Sequence, residues 1–284
     1  MEKLIVNKKY QNKKLDKFVL DNLPYLSSNS FFKLLRKKDI KINGKRINQN
    51  VLLNLYDEVI VYAPNALKEE SNNLDIIYED KNILIVNKSS NIEVTGSNSL
   101  TSIIHKKYTN SEFKPMPCHR LDRNTTGLVL FAKNAVTLEI LENKFKNHEI
   151  KKHYKALVYG IPKQKQAKLE AYLFKDRKKS IVYISDKPKK GYQKILTCYT
   201  ILETYENNSS LLDIEIETGR THQIRAHLAH IGYPIIGDGK YGINQVNKQF
   251  GFKYQQLYHY KLKFSFSTES NILDYLNGKV FEIN

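Results

Sequence analysis

The sequence predicts an α+β protein in two domains: a small helical and hairpin domain at residues 1–63 and a larger sheet-based domain at 74–284, with a linker at 64–73. Three observations carry this. Two apolar patterns at helical spacing and a tight hairpin open the chain. A polar stretch, APNALKEESNN (63–73), then interrupts it. Beyond it, short β-like runs mix with helical patterns without the regular strand–helix rhythm of a doubly wound sheet, and no solenoid repeat is visible. An apolar content of 41% over 284 residues excludes a disordered tail and suffices for one large core plus an accessory domain.

In the first domain, Leu15, Phe18, Val19 and Leu23 recur at helical spacing and Pro24 closes the segment. Ser28 offers an N-cap for a second helix, from Phe31 to about Lys38, with Phe31, Leu34 and Leu35 on one face and Lys33, Arg36 and Lys37 on the other. Ile40-Lys41-Ile42, Asn43-Gly44 and Lys45-Arg46-Ile47 read as a type I′ hairpin, and Val59–Val61 as a later strand. Seven basic residues against one acidic, Asp39, fall between Lys33 and Arg46; helix and turn would present them together as a phosphate-binding patch.

The second domain opens with strand-like runs at Leu74–Tyr78 and Asn82–Val86. Gly127 breaks the chain before an apolar strand at Leu128–Ala132, and Leu138, Leu141 and Phe145 mark a helix. Further strands are expected at Tyr154–Tyr159, Ile181–Ile184, Ile195–Leu202 and Leu212–Ile216, where Asp213 and Glu215 alternate with apolar residues as on a strand with one wet face. Ile224, Leu228 and Ile231 suggest a helix directly after.

Charge narrows the partner. Lys+Arg is 46 and Asp+Glu 29, a net +17 that concentrates polyanions; nucleic acid leads, while a membrane surface would require an amphipathic basic helix. Apolar runs are too short to span a bilayer, and MEKLIVNKKY lacks a signal-peptide core, so the cytoplasm is expected. Cys118 and Cys198, eighty positions apart, are expected to be reduced packing thiols.

The candidate chemistry centres on HRLDRNTTG (119–127). Asp122 lies between Arg120 and Arg123, which would favour its ionised form, and such a carboxylate can act as nucleophile or base. His222, His227 and His230 share a helical segment, but without a His-x-x-x-His spacing or a nearby cysteine they read as packing or RNA contacts, not metal ligands. Lys144–Lys155 and Lys175–Lys194 are further candidate phosphate contacts.

HRLDRNTTGLVLFAKN resembles, almost position for position, the catalytic motif of the RluA family of pseudouridine synthases. KKHYKALVYG (151–160) and ETGRTHQIRAHL (217–228) resemble its second and third motifs in the expected order, and GYPIIGDGKYG (232–242) continues the match as a loop near the site. Ser28–Tyr62 resembles the RNA-binding module of the ribosomal protein S-four type, departing where Tyr56-Asp57-Glu58 stands for a common Gly-Asp turn. The resemblance implies a catalytic domain on a mixed, mainly antiparallel sheet with flanking helices. It implies Asp122 as catalytic carboxylate, Tyr154 against the target base, Arg220 paired with Asp122, and Arg120 helping to expose the nucleotide. Lys33, Arg36, Lys37, Lys41, Lys45 and Arg46 are the RNA-binding candidates of the first domain.

The implied reaction isomerises uridine in structured RNA. The bond from N1 to the ribose breaks, the base turns and rejoins through C5, and the nucleotide must first be flipped from its helix. Whether Asp122 attacks C1′ or removes a ribose proton is open, and neither route requires a cofactor or metal. Large-subunit ribosomal RNA is the expected substrate, with no DNA or membrane partner and a monomeric enzyme; tRNA, alone or with rRNA, is the alternative. A non-catalytic RNA-binding assembly factor is the second class, and it would predict loss of Asp122, Tyr154 or the motif arginine. A metal-dependent nuclease would require a carboxylate cluster, whereas Asp122 stands among arginines.

Overall fold

The computed structural model describes residues 1–23, 25–26, 28–63 and 74–283, so the expected linker at 64–73 and the Pro24 helix stop lie outside the described residues. Residues Met1–Leu74 with Gly96–Ile103 form one compact unit, and Asp75–Thr95 with Ile104–Asn284 the other.

The first unit runs β1 (Glu2–Ile5), a 3₁₀ turn (Lys8–Tyr10), α1 (Leu15–Asn22), α2 (Ser28–Arg36), β2 (Ile40–Ile42), β3 (Lys45–Ile47) and β4 (Glu58–Val61), with an antiparallel sheet in the order β1-β4-β2-β3. Phe18 and Val19 of α1 and Phe31, Leu34 and Leu35 of α2 pack over Ile40, Val59 and Val61, so each helix buries the face its spacing marks. Ser28 is the first helical residue, not the cap. At the other end α2 stops at Arg36, earlier than its pattern suggests, because Lys38 turns left-handed (φ +60°) and the Lys38 and Asp39 amides bond back to the Leu35 and Leu34 carbonyls.

Asn43 (φ +47°) and Gly44 (φ +80°) form the hairpin turn. The Asn43 side chain ties it to β4, donating to Asp57 Oδ1 (2.8 Å) and accepting the Glu58 amide (2.8 Å). At the departure from the usual Gly-Asp turn, Tyr56 adopts φ +68°, backbone that favours glycine, with its ring out in solvent. The turn is made at a conformational cost to Tyr56.

The second unit is one mixed sheet. Its elements are β5 (Ile76–Glu79), β6 (Ile83–Lys88), α3 (Leu100–Lys107), whose first residues group with the first unit, β7 (Met116–Pro117), β8 (Thr126–Ala132), α4 (Ala135–Lys146), β9 (Ile150–Tyr159), β10 (Gln166–Asp176), β11 (Ile181–Ser185), β12 (Gln193–Tyr205), β13 (Ser209–Ile216), α5 (Gln223–His230), α6 (Asn244–Phe250), β14 (Leu257–Phe264), a 3₁₀ turn (Asn271–Leu276) and β15 (Val280–Glu282). The order is β11-β10-β12-β13-β9-β14-β8-β6-β5, with β7 beside β8 and β15 beside β14. Among the described residues the pairings are antiparallel except β14 with β8.

That exception positions the site. β14 inserts between β9 and β8, bringing His259 opposite Tyr154 on one side and Gly127 on the other. Gly127, expected as a break, lies within β8 at φ +112°; a Cβ there would sit 2.2 Å from the His259 carbonyl oxygen, so only glycine permits this approach. On β13 the expected alternation holds: Leu212, Ile214 and Ile216 are buried while Asp213 and Glu215 meet solvent. Helix α4 packs Leu141 against Leu128, Leu130, Ile150, Leu262 and Phe264, and Ala226 of α5 joins a second cluster with Leu173, Val182 and Ile195. No described helix is long and apolar enough to cross a membrane.

Candidate active site

Asp122 sits in the turn that feeds β8. Its carbonyl accepts the Thr125 amide (3.1 Å), and the Thr125 hydroxyl accepts Gln255 Nε2 (2.7 Å). From behind, the fully buried Lys88 ammonium donates to the carbonyls of Ser89 (2.8 Å), Ile92 (2.9 Å) and Arg123 (3.1 Å). Burial pushes the Lys88 pKa down to about 7, offset in part by the field of Asp122. The carboxylate therefore projects from a turn braced on both sides.

Its partner is Arg225, on the first turn of α5. Arg225 Nη1 donates to Asp122 Oδ2 at 2.9 Å, while Nε and Nη2 grip Asp238 Oδ2 (2.7 Å) and Oδ1 (2.9 Å) in a two-pronged bond. Arg225 is 7% exposed and Asp238 fully buried. Burial opposes both charges, but their mutual hydrogen bonds and attraction outweigh it, holding Arg225 protonated and Asp238 ionised. The Lys240 and Tyr241 amides also donate to Asp238 Oδ1 (2.8 and 3.1 Å). Because Asp238 already balances much of the guanidinium charge, Asp122 is oriented without being fully neutralised. Among the described residues its Oδ1 accepts no hydrogen bond from the protein.

The expected Arg220–Asp122 pair is thus corrected to Arg225–Asp122. Arg220 lies in the exposed turn between β13 and α5, and only the residue five further along faces the carboxylate from the buried helix. Arg220 still lines the same 210 Å³ cleft, as do Arg120, Asp122 and Tyr154. The basic residues Lys33, Arg36, Lys37, Lys41, Lys45 and Arg46 belong to the first unit.

Tyr154, 5% exposed, lies flat on the His259 ring at 4.6 Å between centroids and 23° between planes. The buried His259 also donates from Nδ1 to the Leu128 carbonyl (2.6 Å) and meets His119 edge-on. Burial keeps His259 neutral, its pKa pushed down to about 3, and together with the nearby Asp122 it raises that of Tyr154, which stays a neutral phenol.

Sequence reasoning gave no individual role to four groups here: Asp238, the His222–Tyr241 pair, Lys152 and His259. Tyr241 Oη accepts the Val182 amide (2.9 Å) and lies 2.8 Å from His222 Nδ1, while the other ring nitrogen, Nε2, lies 4.0 Å from Asp122 Oδ2. Burial pushes His222 down to about 4, and it adopts a left-handed backbone (φ +53°) at the start of α5. Lys152 lines the cleft with its Nζ over the Phe145 ring (5.3 Å), and burial lowers it to about 8. The acid in GYPIIGDGKYG was the visible signal for Asp238; Lys152 was hidden among abundant lysines. His227 and His230 bond to Thr197 (3.0 Å) and Asp186 (2.8 Å).

A family model described as RNA pseudouridylate synthase matches residues 82–230, the span containing the Asp122 turn, Tyr154 and Arg225. The chain belongs to this family. It is an RNA pseudouridine synthase of the RluA type, an isomerase. A relative named as an uncharacterized RNA pseudouridine synthase from Mycoplasma capricolum is 34% identical, with 99% of this chain and 96% of the relative covered. Ribosomal large subunit pseudouridine synthase C of Buchnera aphidicola subsp. Baizongia pistaciae is also 34% identical, with 86% and 82% covered. The fold matches human RNA Pseudouridylate Synthase Domain Containing 1 at a TM-score of 0.59 and 23% identity, over 70% of this chain and 81% of that one. Its α+β architecture is that of pseudouridine synthases.

Proposed function

We propose that this synthase isomerises specific uridines of large-subunit ribosomal RNA, with Asp122 as the catalytic carboxylate and the first unit as an RNA-binding module of the S-four type. The observation that carries the site is the Asp122 carboxylate, oriented by Arg225 through one oxygen and facing a cleft walled by Tyr154. Flipped into that cleft, a uracil finds an aromatic face in Tyr154 while its sugar meets the free carboxylate oxygen. Arg120, exposed at the rim two residues before Asp122, is placed to fill the space the base vacates.

The choice of ribosomal RNA is supported by relatives from Buchnera and Rickettsia bellii, 34% and 32% identical, whose names specify the large ribosomal subunit. The role of the first unit is supported by its basic surface. Lys33, Arg36, Lys37, Lys45 and Arg46 are exposed, and Arg46, bonded to the Lys38 carbonyl (2.8 Å), is the one of these with a described carboxylate partner, Asp39 at 3.7 Å. Lys41 and Arg46 lie over the Tyr62 ring. A cytoplasmic monomer without cofactor or metal completes the proposal.

The test is pseudouridine mapping on purified large-subunit RNA and, separately, on tRNA, each treated with wild-type protein or Asp122→Asn. The variant is expected to form no pseudouridine while binding the RNA within a few-fold of wild type. Undiminished conversion by Asp122→Asn would sink the assignment of the carboxylate, and conversion confined to tRNA would sink the substrate.

A further inference from the structure

Thr125 and Leu257 line the Asp122 cleft; Asn124, Thr126 and again Leu257 line a second cleft of 520 Å³. That volume falls within the roughly 300–1,000 Å³ of ordinary ligand sites. The register shows how the sheet separates them. Thr126, Tyr258 and Lys155 sit side by side on β8, β14 and β9, while Tyr154 and His259 each lie one residue away on their strands and so point to the opposite face. The two clefts flank the same short stretch of backbone, the one that carries Asp122.

The second cleft is chemically distinctive. Tyr205, Tyr254 and Tyr258 supply aromatic rings, Lys155 and Lys253 supply ammonium groups, and among the described residues no Asp or Glu lines it. Lys155 Nζ lies 4.6 Å from the Tyr260 ring and Lys253 Nζ 5.1 Å from that of Tyr254, and neither lysine has a carboxylate partner among the described residues. Aromatic faces and cations without carboxylate partners suit a nucleotide: a π-face and a phosphate.

We infer that this second cleft holds an unpaired nucleotide of the substrate RNA, near the target in the strand, its base stacked on Tyr254 and its phosphate against Lys155 or Lys253. The inference rests on the Asp122 cleft being the uridine site. It makes a nucleotide near the target a determinant of affinity, held on the opposite face of the sheet.

The experiment measures binding of fragments of large-subunit ribosomal RNA in which each nucleotide flanking the modified uridine is replaced in turn by an abasic residue. Wild-type protein is compared with Tyr254→Ala and Lys253→Ala, both in the surface segment ahead of β14, with thermal melting to confirm folding. One abasic position is expected to weaken wild-type binding by roughly 5- to 100-fold, the weight of one base–aromatic stack. Tyr254→Ala should weaken binding of intact RNA comparably and be indifferent to that same abasic position, the coupling expected of partners in contact. Parallel abasic profiles for both proteins, or wild-type affinity of Tyr254→Ala for intact RNA, would overturn the inference. If wild-type protein forms no pseudouridine in any fragment, the reading of the Asp122 cleft fails instead, while the binding profiles still report on the second cleft.

Discussion

The Arg225 guanidinium spends two donors on Asp238 and one on Asp122, so the acid that fixes the arginine never touches the cleft. Asp238→Asn is therefore expected to lower the single-turnover rate by roughly 10- to 100-fold with little change in RNA affinity, because the guanidinium would settle more closely on Asp122. It should also destabilise the fold by about 3–5 kcal/mol, the usual cost of breaking a buried ion pair from one side. Arg220→Ala, by contrast, should weaken RNA binding with stability within about 0.5 kcal/mol of wild type. A rate loss in Arg220→Ala as large as in Arg225→Ala would reverse the corrected pairing. Asp122 is the lone acid of HRLDRNTTG, whereas Tyr154 shares its motif with Tyr159 and was singled out by the resemblance; both line the cleft. The arginine was not legible: Arg220 and Arg225 share one segment, and only the start and phase of α5 decide which faces the carboxylate.

At the scale of elements, β14 is the piece on which the site is hung. It joins the strand after Asp122 to the strand bearing Tyr154, and it depends on Gly127. Gly127→Ala is expected to cost at least about 2 kcal/mol, since a Cβ would meet the His259 backbone at a positive φ. The same shift should loosen the Tyr154–His259 stack and lower activity beyond the stability loss, measurable as a reduced rate well below the melting temperature. In the first unit, α2 and the β2–β3 turn present the basic surface. Neutralising Lys33, Arg36 and Lys37 should weaken RNA binding and flatten its salt dependence, with the log–log slope falling by about 1 for each phosphate no longer neutralised; an unchanged slope would count against the patch. Most strands were legible from alternation or apolar runs. β1, β7, β10, β14 and β15 were not expected; in β10 the apolar positions, Ala167, Leu169, Ala171 and Leu173, do alternate with Lys168, Glu170 and Tyr172, but most of these residue types are equally at home in helices.

For the whole molecule, buried neutral histidines set an acid limit. His227 and His259 are held well below their ordinary value by burial, at about 4 and about 3. Below pH 6.5 the unfolded chain binds these protons and the folded one does not, so stability is lost as pH falls from about 6.5 toward 4. Each histidine contributes about 1.4 kcal/mol per pH unit across that window. Urea denaturation at pH 7, 6 and 5 should show this slope, and His259→Phe should flatten it; equal stability at all three pH values would refute the account. The sequence by itself determined the α+β class, the charge that favours a nucleic acid, the hairpin of the first unit and the motif carrying Asp122, because all are local: periodicity, turn chemistry and composition lie within a few residues. Only the tertiary structure decided that Arg225 holds Asp122, that Asp238 holds Arg225 and that His259 backs Tyr154. Those partners meet across 103, 13 and 105 positions of chain, through strand order and helix phase, which no short window of sequence records.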